Sequence, residues 1–259
     1  MDLGISGRTA IVCASSRGLG RGCAEALADA GCDVVVNGRD RDALEATAAH
    51  IRSTSSVTVT AVVADVATAD GQAALLEACP EPDILVNNNG GPPFRDFRQL
   101  DRQAMFDGVL GNMVAPIELI QQVIEPMVRR RFGRIVNITS GSVKMPLAGL
   151  DLSSGARAGL TAFLAGVARQ VAGSNVTINH LLPGAFDTDR LRSHVRSTAT
   201  SRGVDRDAVL AERMASIPAH RLGRPDEFGA ACAFLCSAQA GYITGQSLLI
   251  DGGAFPGTM

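Results

Sequence analysis

The sequence predicts an α/β protein, a single doubly wound domain with a seven-stranded, mostly parallel sheet. Three observations carry that prediction. Short β-branched apolar runs alternate along the chain with alanine- and leucine-rich stretches of helical character. The runs are apolar almost throughout, as strands covered on both faces are. A glycine-rich turn joins the first run to the first helical stretch, the place where doubly wound folds receive phosphate.

The elements follow in order. The first strand covers 8–13 and the first helix 19–30, stopped by Gly31. A strand at 33–37 leads to a helix at 41–51, and a strand at 58–64 to a helix at 69–78 that Pro80 and Pro82 terminate. Residues 84–86 form a fully buried strand. A long helix spans 101–131, kinked or divided at Pro116 and Pro126. The fifth strand, 134–139, precedes a helix at 152–172, and the sixth is 176–181. Residues 189–218 are polar, partly helical and read as an inserted lid. A helix at 225–238 and a strand at 247–250 complete the pattern. No repeat or linker interrupts it, so residues 1–259 form one domain.

Composition narrows the function. Of 259 residues, 46% are hydrophobic and 19% charged, which excludes a mainly disordered chain. A net charge of −2 does not suit a general nucleic-acid or membrane-surface binder. No apolar run reaches the roughly 18 residues of a membrane span, and the first residues lack signal-peptide character. Cys13, Cys23, Cys32, Cys79, Cys232 and Cys236 show no CxxC pair, so they read as free, mostly buried thiols in a reducing cytoplasm. No cluster has metal-ligand spacing. Lys144 is the only lysine, and Tyr242 the only tyrosine.

The first strand runs into Cys13-Ala14-Ser15-Ser16-Arg17-Gly18-Leu19-Gly20. Glycines in such a turn let backbone N–H groups approach a pyrophosphate, and the helix N-terminus favours its charge. The second strand ends Val36-Asn37-Gly38-Arg39, without the carboxylate that binds the ribose 2′-hydroxyl of NAD. Arg39, with Arg17, suits a 2′-phosphate. The expected cofactor is therefore NADP(H) in preference to NAD(H).

With these residues in place, the chain resembles the short-chain dehydrogenase/reductase family over nearly its full length. The glycine turn is similar to T-G-x-x-x-G-x-G. Ala64-Asp65-Val66 matches the adenine-side D-V element, and Asn87-Asn88-Asn89-Gly90 is close to N-N-A-G. Asn112 stands at the family's asparagine. Ile135-Val136-Asn137-Ile138-Thr139-Ser140 matches the strand ending in the catalytic serine. Pro183-Gly184 with Thr188 matches P-G-x-x-x-T. Arg221-Leu222-Gly223-Arg224-Pro225, Tyr242-Ile243-Thr244-Gly245 and Asp251-Gly252-Gly253 resemble its C-terminal signature. The resemblance implies a Rossmann-like fold and hydride transfer between NAD(P)(H) and a carbonyl or alcohol. It implies nucleotide contacts at Ser15, Ser16, Arg17, Gly18, Leu19, Gly20, Arg39, Asp65, Val66, Asn88, Gly90, Arg157, Pro183, Gly184, Phe186 and Thr188. It also implies a homotetramer or homodimer packed through the helices at 101–131 and 152–172.

The departures define the site. Cys13-Ala14 replaces Thr-Gly, so Ala14 must accept the turn's backbone conformation. Counting 13 positions from Ser140 and then four more, the family's Tyr and Lys become Ser153 and Arg157. Gly90-Gly91-Pro92-Pro93, Ser142-Val143-Lys144 with Pro146, and the Ser-x-x-x-Arg helix resemble a divergent 3-oxoacyl-[acyl-carrier-protein]-reductase-like subgroup.

The candidate catalytic residues are Asn112, Ser140, Lys144, Ser153 and Arg157. Serine transfers protons poorly at neutral pH, and arginine does not supply them readily. Arg157, four positions from Ser153, shares its helix face and retains the positive charge. Lys144 has three readings: general acid, directly or through a water on Ser153; substrate-binding charge; or solvated loop residue. Asp151 is a candidate N-cap, His180 reads chiefly as a core residue, and Gly91-Pro92-Pro93-Phe94 as a stiff pocket wall. The lid is locally basic through Arg190, Arg192, Arg196, Arg202 and Arg206, which suits a solvated face or an acidic or phosphopantetheine-bearing substrate. The expected partner is a small-molecule or acyl-thioester substrate, with neither nucleic acid nor membrane. Two other readings stay open: a nucleotide-binding sensor or scaffold without turnover, and a reductase or isomerase acting elsewhere than a carbonyl.

Overall fold

The computed structural model describes residues 2–92 and 94–258. The strands are β1 (Thr9–Val12), β2 (Asp33–Gly38), β3 (Val59–Val63), β4 (Ile84–Asn87), β5 (Gly133–Ile138), β6 (Val176–Pro183) and β7 (Ser247–Ile250). They form one sheet in the order β3-β2-β1-β4-β5-β6-β7. Every pairing is parallel, where the sequence predicted mostly parallel.

The helices are α1 (Gly18–Asp29), α2 (Arg41–Thr54), α3 (Ala69–Ala78), α4 (Arg102–Val109), α5 (Ala115–Arg130), α6 (Asp151–Val171), α7 (Asp189–Arg202), α8 (Arg206–Ala215) and α9 (Pro225–Cys236). No helix of the described residues is long and apolar enough to cross a membrane.

Side chains alternate across each strand, and this divides the core in two. Val12, Val34, Val36, Ile84, Val86 and Val136 pack toward Cys23 and Leu27 of α1 and Phe228 and Leu235 of α9. Ile11, Val35, Leu85, Ile135 and Ile178 pack toward Leu119 and Val123 of α5 and Leu160 and Leu164 of α6. Each fully buried aliphatic side chain contributes about 1.5–3 kcal/mol. The six cysteines are free, and all but Cys79 are buried.

Two sequence expectations change. The predicted 101–131 helix is two helices joined by a π-helical turn, Leu110–Val114. Pro116 lies in the first turn of α5, where its missing N–H costs nothing, and Pro126 lies within α5. Neither proline makes the break. The π turn does, and it carries Asn112. Asp151 is the first residue of α6, and Leu150 occupies the cap position without a side-chain bond. The polar segment at 189–218 holds two helices, α7 and α8, with a small cluster of Val195, Ala199 and Val209 between them. Pro93, part of the predicted pocket wall, lies outside the described residues.

Because β1 lies between β2 and β4, the winding direction reverses beside it. A crevice opens there at the carboxyl ends of the strands. Residues 13–20, 37–40, 64–66, 87–92, 138–144 and 183–188 all follow strand ends on that side.

Candidate functional site

The nucleotide end is built on two asparagines. Asn37, at the tip of β2, accepts from the Ala14 N–H at 3.1 Å and donates to the Val62 and Ala64 carbonyls. Asn88, just after β4, donates to the Ala14 carbonyl at 3.1 Å. Pinned on both sides, Ala14 takes φ +45°, left-handed backbone that costs a non-glycine residue about 1–2 kcal/mol. A side chain on Gly20 would collide with the Ala14 carbonyl and Asn88. Gly18 has φ +58° and lies against the Thr188 methyl. Ser15 turns its hydroxyl back to the Val12 carbonyl, and the Ser16 carbonyl accepts from Thr47. Leu19 packs partly into the core.

A cavity of about 300 Å³ is lined by Ala14, Ser16, Arg17, Gly38, Arg39, Asp40, Asp65, Val66, Asn89 and Gly90, among others. Arg17 and Arg39 are exposed on its rim. Arg17 meets Asp40 at 2.6 Å and Arg39 meets Asp65 at 3.4 Å. Asp40 follows Arg39 directly after β2. It caps α2 through the Ala43 N–H, and that bond and Arg17 hold its pKa below the usual carboxylate value.

On the far wall, Gly184 has no room for a side chain beside Asp251. Thr188 caps α7 by accepting from the Leu191 N–H. Pro183 ends β6, and the Phe186 side chain is buried against Phe228 and Gly223. The crevice fits a dinucleotide: its turn admits close backbone approach, and its rim offers two guanidinium groups.

The other end centres on Arg157, which is 8% exposed. Its Nη1 donates to the Ile138 carbonyl at 2.6 Å and its Nε to Ser153 Oγ at 3.3 Å. It thereby ties the start of α6 to the end of β5, two residues before Ser140. Burial, and secondarily the charge of Arg190, lower its pKa to about 10. Ser140 Oγ accepts from the Ser142 N–H at 3.1 Å and lies 2.8 Å from the Ser142 hydroxyl. Asn112 Nδ2 donates to the Gly108 carbonyl at 3.0 Å, and its buried Oδ1 has no partner among the described residues. Asn112 and Arg157 line a cavity of about 20 Å³ with Asn88, Asn89 and Ile138, room for one water.

Lys144 follows the short turn Gly141–Val143 and is half-buried. Among the described residues its ammonium has neither a hydrogen bond nor an ion pair. Tyr242 is exposed and unrelated to the site. His180 is buried with Nδ1 unpartnered, and burial lowers its pKa to about 4.

Sequence reasoning missed two features. One is Asn37 as the brace of the glycine turn, where only a missing carboxylate had stood out. The other is Arg190, read merely as one of several lid arginines. It donates to the Gly91 and Pro92 carbonyls, each at 3.0 Å. Two residues from the cap, in the first turn of α7, was the available signal. Beside it, His194 stacks on Phe94 with ring centroids 4.0 Å apart.

The family profile described as Enoyl-(Acyl carrier protein) reductase matches residues 13–254. The chain belongs to the short-chain dehydrogenase/reductase family. It is 31% identical over 255 residues to the NADPH-dependent reductase BacG of Bacillus subtilis, covering 96% of this chain and 98% of BacG. It is 31% identical over 257 residues to the 3-oxoacyl-[acyl-carrier-protein] reductase FabG of Vibrio cholerae, covering 98% and 99%. Among solved structures, L-sorbose reductase from Gluconobacter frateurii, complexed with NADPH and L-sorbose, superposes with a TM-score of 0.94 at 28% identity over the whole of both chains.

Proposed function

We propose that this short-chain dehydrogenase/reductase is an NADP(H)-dependent oxidoreductase that reduces an activated carbonyl, such as a 3-oxoacyl group, through an Asn112-Ser140-Ser153-Arg157 site. One observation carries the reading. The cavity rimmed by Arg17 and Arg39 shares Arg39, Asp65, Asn89 and Gly90 with a second cavity of about 290 Å³ that reaches Asn112 and Leu152. A dinucleotide bound at the first therefore extends toward the residues of the second. BacG, FabG and the sorbose reductase, by their names, are reductases, and two of them are described with NADPH.

When bound, the nicotinamide supplies or accepts the hydride. Arg17 and Arg39 release Asp40 and Asp65 to meet the 2′-phosphate. Arg157 offers its remaining N–H groups to the nicotinamide-side ribose. Ser140 donates its free proton as a hydrogen bond to the substrate oxygen. Ser153, polarised by the guanidinium behind it, is a second donor. This arrangement stabilises an oxyanion better than it protonates one. It favours conjugated enones, whose developing charge spreads over an enolate; a 3-oxoacyl ketone yields instead a localised C3 alkoxide, held by Ser140 and Ser153 until solvent water protonates it. Lys144 has no place in this scheme.

The helical face carrying the exposed Met105, Phe106, Val109 and Leu110, with Phe163 of α6, supports assembly of two or four copies. We read α7 and α8 as the lid.

Separate titrations with NADPH and NADH, followed by ligand fluorescence, test the reading. Tighter binding of NADPH, lost in Arg39→Ala, followed by NADPH consumption with a 3-oxoacyl or enone substrate, is the expected result. NADPH that binds and is never consumed would replace the enzyme with a nucleotide sensor.

A further inference from the structure

Ser140 is joined to a second hydroxyl. It caps the short turn Gly141–Val143, its Oγ accepting from the Ser142 N–H at 3.1 Å. The Ser142 Oγ lies 2.8 Å from the same oxygen. Two hydroxyls at that distance make one hydrogen bond, and either can donate it.

The surroundings decide the direction. Ser142 is 2% exposed, so solvent does not reach its side chain. Among the described residues its Oγ has no hydrogen-bond partner but Ser140. With Ser140 as donor, the Ser142 proton would be buried without an acceptor, at the cost of its full desolvation. With Ser142 as donor, the buried hydroxyl is satisfied. The Ser142 N–H and O–H then fill both acceptor positions of Ser140 Oγ. Ser140, only half-buried at the crevice, keeps its own proton for a partner outside the turn. The turn itself is firmly held. The Val143 N–H donates to the Ser140 carbonyl, and the Lys144 and Met145 N–H groups to that of Gly141. A Cβ on Gly141 would lie 3.2 Å from the Pro183 carbonyl oxygen, so glycine lets the turn rest against the end of β6.

We propose that Ser142 is a positioning residue for Ser140. Its hydroxyl donates to Ser140 Oγ and directs the Ser140 proton out of the turn, toward the substrate oxygen. A hydroxyl that accepts two hydrogen bonds is polarised and donates a stronger one. The inference rests on the oxidoreductase reading and deepens it, giving the reason that Ser140 meets the substrate as a donor. Neither serine loses its proton; the pair orients a hydrogen bond to an oxyanion.

The test pairs kinetics with a direct view of the protons. Full-length protein is assayed for NADPH oxidation with benzylideneacetone and ethyl acetoacetate, as the wild type, Ser142→Ala, Ser140→Ala and the double variant. Ser142→Ala is expected to lower kcat/KM about tenfold, less than loss of an oxyanion donor itself costs, and to leave the dissociation constant for NADPH unchanged. In the Ser140→Ala background, Ser142→Ala should cost nothing further, because it acts only through Ser140. The opposite direction of donation predicts the opposite sign, since removing the Ser142 hydroxyl would release the Ser140 proton. An unchanged or raised rate in Ser142→Ala, or an equal loss in both backgrounds, overturns the proposal. Neutron diffraction from wild-type crystals in heavy water decides the direction without turnover. The deuteron between the two oxygens should sit on Ser142, and the Ser140 deuteron should point into the crevice. A Ser140 deuteron aimed at Ser142 overturns the proposal. A wild type that binds NADPH and oxidises it with neither ketone counts against the reductase reading alone, and the deuteron positions still settle this one.

Discussion

Arg134 and Arg157 are both buried guanidinium groups without a carboxylate partner among the described residues, and they are built differently. Arg134, 1% exposed, donates to the Ser237, Gly133 and Asn175 carbonyls and to Asn175 Oδ1, and lies over the Phe132 ring at 4.4 Å. Protein groups absorb nearly all of its hydrogen-bonding capacity, which is how a buried charge serves structure. Arg157 makes two bonds and lines a cavity. Burial lowers the pKa of both, Arg157 to about 10. The contrast teaches that burial of a charge does not identify function. Function is marked by capacity that the protein leaves unspent.

Substitution should separate the two. The largest effect is expected for Arg157→Met, whose NADPH-dependent turnover should fall by about 10²–10³-fold, because the ribose loses a donor and the Ser153 hydroxyl loses the guanidinium that orients it toward the oxyanion. Its urea unfolding free energy should move by no more than about 1 kcal/mol, because relief from desolvation offsets the lost bonds. Arg134→Met should do the reverse. It strands several buried carbonyls and should cost about 3 kcal/mol of stability, with NADPH affinity retained in the folded fraction.

His180 supplies a third buried basic group that titrates in an accessible range. Its folded pKa, about 4, lies below its ordinary value of 6.5. Between those values the unfolded chain binds a proton that the folded chain does not. Stability is therefore complete above pH 6.5 and falls by about 3 kcal/mol as pH drops toward 4. A His180→Gln protein, compared in urea melts at pH 7 and pH 4.5, should lose that dependence. Arg157 adds no pH dependence below about 10, since it is charged in both states there. The smallest effect belongs to Ala14→Gly. Relieving φ +45° should raise stability by about 0.5–1 kcal/mol, less what glycine loses in chain entropy, read as a small upward shift in thermal midpoint.

Much of this was legible in the sequence. Uninterrupted runs such as Ile84-Leu85-Val86 announce a strand covered on both faces. The spacing from Ser140 to Ser153 and Arg157 anticipates that α6 begins beside the end of β5, where Arg157 donates to the Ile138 carbonyl. The Ala14 departure correctly signalled an unusual backbone. Other features were hidden for physical reasons. The π turn at Asn112 leaves apolar periodicity intact, and the prolines nearby drew the expected kinks to the wrong positions. Asp151 looked like a cap, but α6 begins one residue earlier than the sequence implied. Arg190 was one arginine among five in a basic segment. Only the three-dimensional path of α7 brings its guanidinium to the loop after β4.

The most direct measurement pairs NADPH affinity with urea unfolding for Arg157→Met and Arg134→Met. The account predicts a crossed result. Arg157→Met loses about tenfold or more in NADPH affinity, the worth of a charge-assisted hydrogen bond, and keeps its stability. Arg134→Met keeps its affinity and loses about 3 kcal/mol. An Arg157→Met protein that binds NADPH as the wild type does, or that unfolds as readily as Arg134→Met, would contradict it.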